Sequence, residues 1–105
     1  MANRHRGEIE AVLDGKPHVL CLTLGALAEL ETAFGAEDLS ALAARFGEGR
    51  LSARDAIRIL GAGLRGAGAV IDDHQVAAMR AEHGAAGFAG IVSELLGATF
   101  GGGGG

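Results

Sequence analysis

A change of hydrophobic period near residue 22 constrains the fold of this chain more than any other feature. Residues 8–13 open with alternating polar and apolar side chains, which is the period of a half-buried β-strand. Asp14-Gly15 follows, a pair that tolerates the positive φ angles of a type I′ turn, and residues 16–22 are predicted to form the return strand. The sequence therefore predicts an N-terminal β-hairpin, whose apolar face needs helices to cover it.

The rest of the chain follows the period of α-helices, interrupted by glycines and capping residues. The first two predicted helices run from Thr23 to Gly35 and over residues 38–46. The third begins at a capping box at Ser52 and ends in residues 66–68. The fourth runs from Asp72 through Arg80 towards Gly84, and the fifth covers residues 86–99. The predicted fold class is thus α+β and mainly helical, a two-stranded hairpin followed by about five short helices. Residues 1–100 are predicted to form one domain, and the all-glycine residues 101–105 a disordered tail.

Charge and composition narrow the classes of function. The net charge of −4 opposes a nucleic-acid binder, which needs a strong basic field. No apolar run approaches the ~18 residues of a membrane span, and the N-terminus lacks a secretory signal. The single cysteine, Cys21, cannot form an internal disulfide, as is usual in a reducing compartment. We therefore expect a cytoplasmic protein that binds neither nucleic acid nor membrane.

The segment Gly61-Ala62-Gly63-Leu64-Arg65-Gly66 matches the GxGxxG pattern of dinucleotide-binding turns. Such a turn needs a strand before it and a helix after it. Here the capping box at Ser52 starts a helix that runs into the glycines, which therefore favour close packing of that helix. A small nucleotide-binding or regulatory module that uses Gly61–Gly66 stays open as an alternative.

Other candidate reactive residues lack the spacing that chemistry requires. His18 and Cys21 are three apart on a predicted strand, so their side chains point to opposite faces and cannot act as base and nucleophile. The chain has no HExxH, paired CxxC or EF-hand pattern. We expect no metal, no cofactor and no enzymatic activity. The histidines considered were His5, His18, His74 and His83.

One helix carries a basic stripe. Arg54, Arg58 and Arg65 fall within about 40° of each other on a helical projection, beside an apolar face that includes Leu64. The stripe is either an ordinary solvated face or the rim of a groove that binds a partner protein, since arginine is enriched at interfaces. The candidate partner-binding residues are Arg54, Arg58, Leu64, Arg65 and Phe88 of the last helix.

The order of several segments resembles the gene transfer agent family of phage-tail proteins, over nearly the whole chain except the glycine tail. The segments are Arg6-Gly7-Glu8-Ile9, Leu13-Asp14-Gly15-Lys16, residues 22–31, Phe34-Gly35, residues 51–55 and residues 59–66. The resemblance implies a tail assembly chaperone that binds the tape measure protein and/or the tail tube protein and is absent from the finished particle. Some related proteins are labelled tail tube proteins, so a structural tube or tail-end component is the alternative. The family supplies no catalytic residues, and a homo-oligomer stays open.

Overall fold

The computed structural model describes residues 2–47 and 51–101. A two-stranded antiparallel sheet precedes five helices, which confirms the predicted α+β class. After a short 3-10 helix at Arg4–Arg6, the elements in chain order are β1 (Glu8–Leu13), β2 (Lys16–Cys21), α1 (Leu24–Phe34), α2 (Leu39–Gly47), α3 (Ala53–Gly66), α4 (Asp73–Ala77) and α5 (Gly84–Phe100).

The hairpin forms as its turn residues predict. Asp14 and Gly15 have φ angles of 54° and 74°, the positive values that a type I′ turn requires at both central positions. The turn sets the register, in which Leu13 pairs with Lys16 and Ile9 with Leu20. Side chains on β1 alternate between buried and more exposed positions, and α3 and α5 pack against the sheet.

Helix α3 is the central element, in contact with β2, α1, α4 and α5. The predicted capping box starts it, because the Ser52 hydroxyl accepts a hydrogen bond from the Asp55 amide (3.1 Å) and the Asp55 carboxylate accepts one from the Ser52 amide (3.2 Å). Ile59, Leu60 and Leu64 are its largest buried side chains. The core therefore lies between α3, the hairpin and α5.

The glycines of the GxGxxG segment lie inside α3, as the sequence predicts, and they permit close approach of its neighbours. A Cβ atom at Gly66 would lie 2.0 Å from the backbone carbonyl oxygen of Cys21 in β2. At Gly63 it would lie 2.8 Å from Leu95 Cδ2 in α5 and 3.3 Å from Leu20 Cβ. At Gly66 the clash is with backbone, so only glycine fits there, whereas at Gly63 the Leu95 side chain would have to shift.

Helix α4 is shorter than the sequence predicts. Its capping box forms at Asp72 and Gln75, but the helix ends at Ala77 instead of continuing through Arg80. The Arg80 amide donates to Asp14 Oδ1, and the Asp14 amide donates to the Arg80 carbonyl, both at 2.8 Å. Ala81 also forms a β-bridge with Leu13. The hairpin thus draws this segment into extended structure, so the predicted longer helix is wrong.

Two further expectations are a disordered C-terminal glycine tail and the absence of a membrane-spanning helix. The expected disorder at residues 102–105 lies outside the described residues, and Gly101 ends α5 in the left-handed conformation at φ 67°. Within residues 2–47 and 51–101, no helix has the length and apolar character that crossing a bilayer requires.

Candidate protein-binding groove

An apolar groove of about 620 Å³ opens between α3, α5 and the segment around α4. We call this surface the apolar groove, and its main lining residues are Phe46, Ile57, Leu60, Met79, Phe88 and Leu96. Among the described residues that line it, none is ionisable, and the polar side chains are those of two serines. The groove is therefore a surface for apolar contact.

Helical spacing on two elements builds the groove. On α5, Phe88, Val92 and Leu96 succeed one another every four residues and so lie on one face. On α3, Ile57 and Leu60 face them. Leu60 and Val92 are buried and form the floor, whereas Phe88, Ile57 and Leu96 are half-buried and form the walls. The half-buried walls leave apolar surface for a partner.

The lining determines what the groove can bind. Small-molecule sites combine apolar walls with a few placed polar groups, and catalytic sites need groups that transfer protons or attack substrates. The described lining offers apolar walls with only two hydroxyls. Apolar side chains spaced along a partner helix match such a surface, as in helix-in-groove recognition. The arrangement therefore suits protein contact.

The five residues proposed from sequence do not form one surface. Phe88 lines the apolar groove. Leu64 is 1% exposed and lies in the core, so it can reach a partner only if α3 moves. Arg54 is exposed near the start of α3. Arg58 and Arg65 make contacts within the chain, and their predicted contact with a partner stays a prediction.

Arg58 connects α3 to α1. Its Nη1 atom donates a hydrogen bond to the Ala33 carbonyl at 3.1 Å. Its guanidinium carbon also lies 5.9 Å from the centre of the Phe34 ring, within range of a cation–π interaction. The Phe34 ring receives a second cation, since the guanidinium carbon of Arg45 lies 4.8 Å from its centre. Arg58 of the basic stripe thus contributes to the packing of α3 against α1, and Arg45 joins α2 to the same ring.

Arg65 joins three parts of the fold. Its guanidinium pairs with Glu29 of α1 and, at 3.0 Å, with Asp73 of α4, and it donates to the Ile71 carbonyl at 3.0 Å. We call this set the Arg65 clasp. The hydrogen bond with Glu29 is the main cause that raises the pKa of Arg65. Burial lowers this pKa, and the interaction with Asp73 raises it further. Sequence reasoning identified the arginine but not its acidic partners, one of which is 36 residues away.

The remaining candidates are reactive residues identified from sequence. Cys21 is half-buried, and its Sγ atom lies 3.7 Å from the Arg6 carbonyl, to which it donates. Burial is the main cause that raises the pKa of the Cys21 thiol, and Glu8 raises it further. In the described parts of the chain, no three His, Cys, Asp or Glu side chains cluster as metal ligands would. Folding therefore favours the protonated form of this thiol.

The described part of the chain is a helix-rich α+β fold with a mainly apolar groove. A family model described as "Phage tail tube protein, GTA-gp10" matches residues 6–102. The chain belongs to this family of phage-type tail proteins, in agreement with the resemblance seen in its sequence. The description names a tail tube protein and not an assembly chaperone. Neither a curated protein nor a solved structure matches the chain.

Proposed function

We propose that this chain is a structural component of a phage-type tail, and that it binds other tail proteins through the apolar groove without catalysing a reaction. The match of residues 6–102 to a tail tube family carries this proposal. It takes precedence over the assembly chaperone expected from the sequence, because the family description favours a component of the tube.

The groove supplies a physical reason for partner contact. Half-buried Phe88, Ile57 and Leu96 expose apolar surface that a monomer gains nothing by leaving in water. A partner that covers these walls gains roughly 25 cal/mol per Å² of apolar area removed from water, before the entropy lost on association is subtracted. Because its described lining carries no charge, the groove selects a partner by shape and apolar spacing.

A tail assembly chaperone is the second candidate, favoured by the small sheet. Within the described residues the sheet has two strands, whereas a subunit that lines a tube needs a larger one. The apolar groove also suits an apolar helix, such as a tape measure protein would expose before the tube surrounds it. In this role the protein would act in the cytoplasm of the producing bacterium and leave before the particle is complete.

Quantitative mass spectrometry of purified particles separates these two functions. A structural component is expected in many copies per particle, in fixed ratio to the main tube protein. A chaperone is expected to be depleted from particles and to co-purify with tape measure protein from producing cells. Absence from particles together with no recovery of any tail protein would contradict both.

A matched pair of variants tests the groove itself. Ala89 is exposed and lines the groove, so Ala89→Glu places a charge there without entering the core. Ala86 is exposed on the same helix but does not line the groove, so Ala86→Glu is its control. Only Ala89→Glu is expected to reduce incorporation into particles or recovery with tail proteins. If both variants are incorporated into particles and recovered with tail proteins to the same extent, the groove is not the contact surface.

A further inference from the structure

The edges of the apolar groove are built from small side chains. On α5, Ala85, Ala89 and Ser93 are exposed and follow one another every four residues, so they form a ridge with little bulk. On α3, Ala53 is exposed and lines the groove from the other helix. The distance at which two helices pack depends on the side chains between them. These small side chains therefore allow a further helix to lie deep in the groove.

The length of the groove matches a helix of about three turns. The lining residues on α5 extend from Ala85 to Leu96, a span of about 16 Å at the rise of an α-helix. The space of about 620 Å³ along this span accommodates several large apolar side chains. A helix fills it with apolar residues at positions i, i+4 and i+7, as in helix-in-groove recognition.

Arginines flank the groove where α3 begins. Arg54 and Arg58 are one turn apart on α3, and they lie about 60° and 100° around that helix from Ile57 of the groove wall. Arg45 of α2 immediately precedes Phe46, which also lines the groove. We call Arg45, Arg54 and Arg58 the basic rim.

The basic rim keeps positive charge that a partner can reach. The guanidinium carbons of Arg45 and Arg58 lie 4.8 and 5.9 Å from the centre of the Phe34 ring, a contact that leaves both groups charged. Asp55 lies 3.8 Å from Arg45 and offsets part of this charge, but its carboxylate also accepts a hydrogen bond in the capping box. Arg45 is still 46% exposed, and Arg54 is exposed as well. The rim is therefore a local basic surface on a chain whose net charge is −4.

The opposite wall of the groove differs in charge. Glu94 is the single ionisable residue within α5, and it lies about 160° around that helix from Val92 of the groove floor. The α5 wall is thus uncharged where it faces the groove, whereas the α3 wall is edged by arginines. This difference favours a partner helix with acidic side chains along one flank of its apolar stripe.

We propose that the groove binds an amphipathic helix of a different tail protein, and that acidic residues on one flank of this helix face the basic rim. The apolar contacts hold the helix in the groove, and the ion pairs fix its rotation and direction. This inference rests on the proposed function in assigning the groove as a contact surface, and it adds the chemistry of the partner.

The helices of the chain itself are unsuited to the groove. The apolar faces of α1 and α2 are already buried in the core through Leu27, Leu30 and Leu42. The five residues of α4 are too few to fill a groove of three turns. A second copy would have to unfold part of its core to supply such a helix. The partner is therefore assigned to another protein.

Fluorescence anisotropy of two labelled synthetic peptides with the purified full chain tests the proposal. Both peptides are held helical by a side-chain cross-link and carry leucines at i, i+4 and i+7; glutamates flank the leucines in one, and lysines in the other. The glutamate peptide is expected to bind roughly tenfold more tightly, an advantage that shrinks as salt rises. Equal affinity of the two peptides, or no binding of either, would overturn the inference.

Three variants locate the effect. Arg54→Glu should weaken the glutamate peptide by roughly threefold or more, and α3 should still form, because an acidic residue is favourable in the first turn of a helix. Arg6→Glu makes the same change of charge at an exposed residue in a separate depression past the other end of α3, and it should bind as wild type. Ala89→Glu should weaken both peptides. Circular dichroism checks that each variant folds, and an equal loss in Arg6→Glu would assign the preference to net charge and contradict the proposed rim.

The outcomes separate this inference from the proposed function. If both peptides bind equally and Ala89→Glu weakens both, the groove remains a contact surface and the acidic partner is wrong. If Ala89→Glu leaves both peptides bound, the groove itself is wrong. Sedimentation velocity that shows dimers of the wild-type chain, abolished by Ala89→Glu, would assign the groove to a second copy and overturn the inference. Mass spectrometry of particles tests the structural role independently of all these results.

Discussion

Replacing Gly66 by alanine tests whether α3 approaches β2 as closely as the structure shows. The new Cβ atom would lie 2.0 Å from the Cys21 carbonyl oxygen and 3.4 Å from Ala26 Cβ. Carbon–oxygen contacts of this kind are normally at about 3.3 Å or more. Because the clashing atom belongs to the backbone, a side-chain rotation cannot relieve it. The end of α3 and strand β2 must separate by about 1 Å.

The size of the effect follows from two opposing contributions. Alanine is favoured over glycine inside a helix by about 1 kcal/mol, and by less at Gly66, the last residue of α3. Overpacking of a well-packed contact costs about 1–3 kcal/mol. We expect a net loss of about 2 kcal/mol in the free energy of unfolding. With a urea m-value of about 1–3 kcal/mol per molar, the midpoint should fall by about 1 M.

Equilibrium urea unfolding, followed by circular dichroism, measures this loss. Gly90→Ala is the matched control, because Gly90 lies within α5 and an added Cβ meets nothing within 4 Å. It should raise the free energy of unfolding by about 0.5–1 kcal/mol through helix propensity alone. If Gly66→Ala is as stable as wild type, the close approach of α3 to β2 is refuted.

Two further predictions concern Arg65 and Cys21. Arg65→Gln leaves the carboxylates of Glu29 and Asp73 without their cation and should lower the free energy of unfolding by about 1 kcal/mol. The loss should be smaller in high salt, because the arginine side chain is 26% exposed and salt screens its ion pairs. Equal losses in urea titrations at low and high salt would contradict an ionic origin. The raised pKa of Cys21 predicts slower reaction with a thiol reagent at pH 8 in the folded protein than in urea. Because folding favours the protonated thiol, the free energy of unfolding should fall as pH rises from the ordinary thiol pKa through the raised pKa of Cys21. Cys21→Ala should remove this contribution to the pH dependence of the free energy of unfolding.

Local signals in the sequence predicted most of the fold. Asp14-Gly15 specifies a turn through the φ angles of two adjacent residues, and the capping box of Ser52 and Asp55 spans four residues. Each depends on atoms that the chain brings together whatever its tertiary structure. The hairpin and the start of α3 are therefore correct in the prediction.

Contacts distant in sequence account for what the prediction missed. Arg80 leaves the helical pattern because it pairs with Asp14, 66 residues earlier. Periodicity correctly placed Arg58 and Arg65 on one face of α3, but it contains no information about which elements cover that face. Ala33 and Glu29 of α1 lie 25 and 36 residues away from these arginines. The sequence therefore left the basic stripe as either a solvated face or the rim of a partner-binding groove, although two of its members bind within the chain.

The glycines of the GxGxxG spacing in α3 meet different neighbours, and only at Gly66 is the neighbour a backbone atom. A Cβ at Gly61 would meet Asp73 Oδ1 of the Arg65 clasp at 2.3 Å, one at Gly63 would meet Leu95, and one at Gly66 would meet the Cys21 carbonyl. In a phosphate-binding turn the glycine amides are free to face the anion. Here they belong to a continuous helix, whose amides donate to carbonyls four residues earlier. Binding a pyrophosphate through these amides would require α3 to unwind and would expose the buried side chains of Leu60 and Leu64. Nucleotide binding at this GxGxxG segment would therefore destabilise the fold.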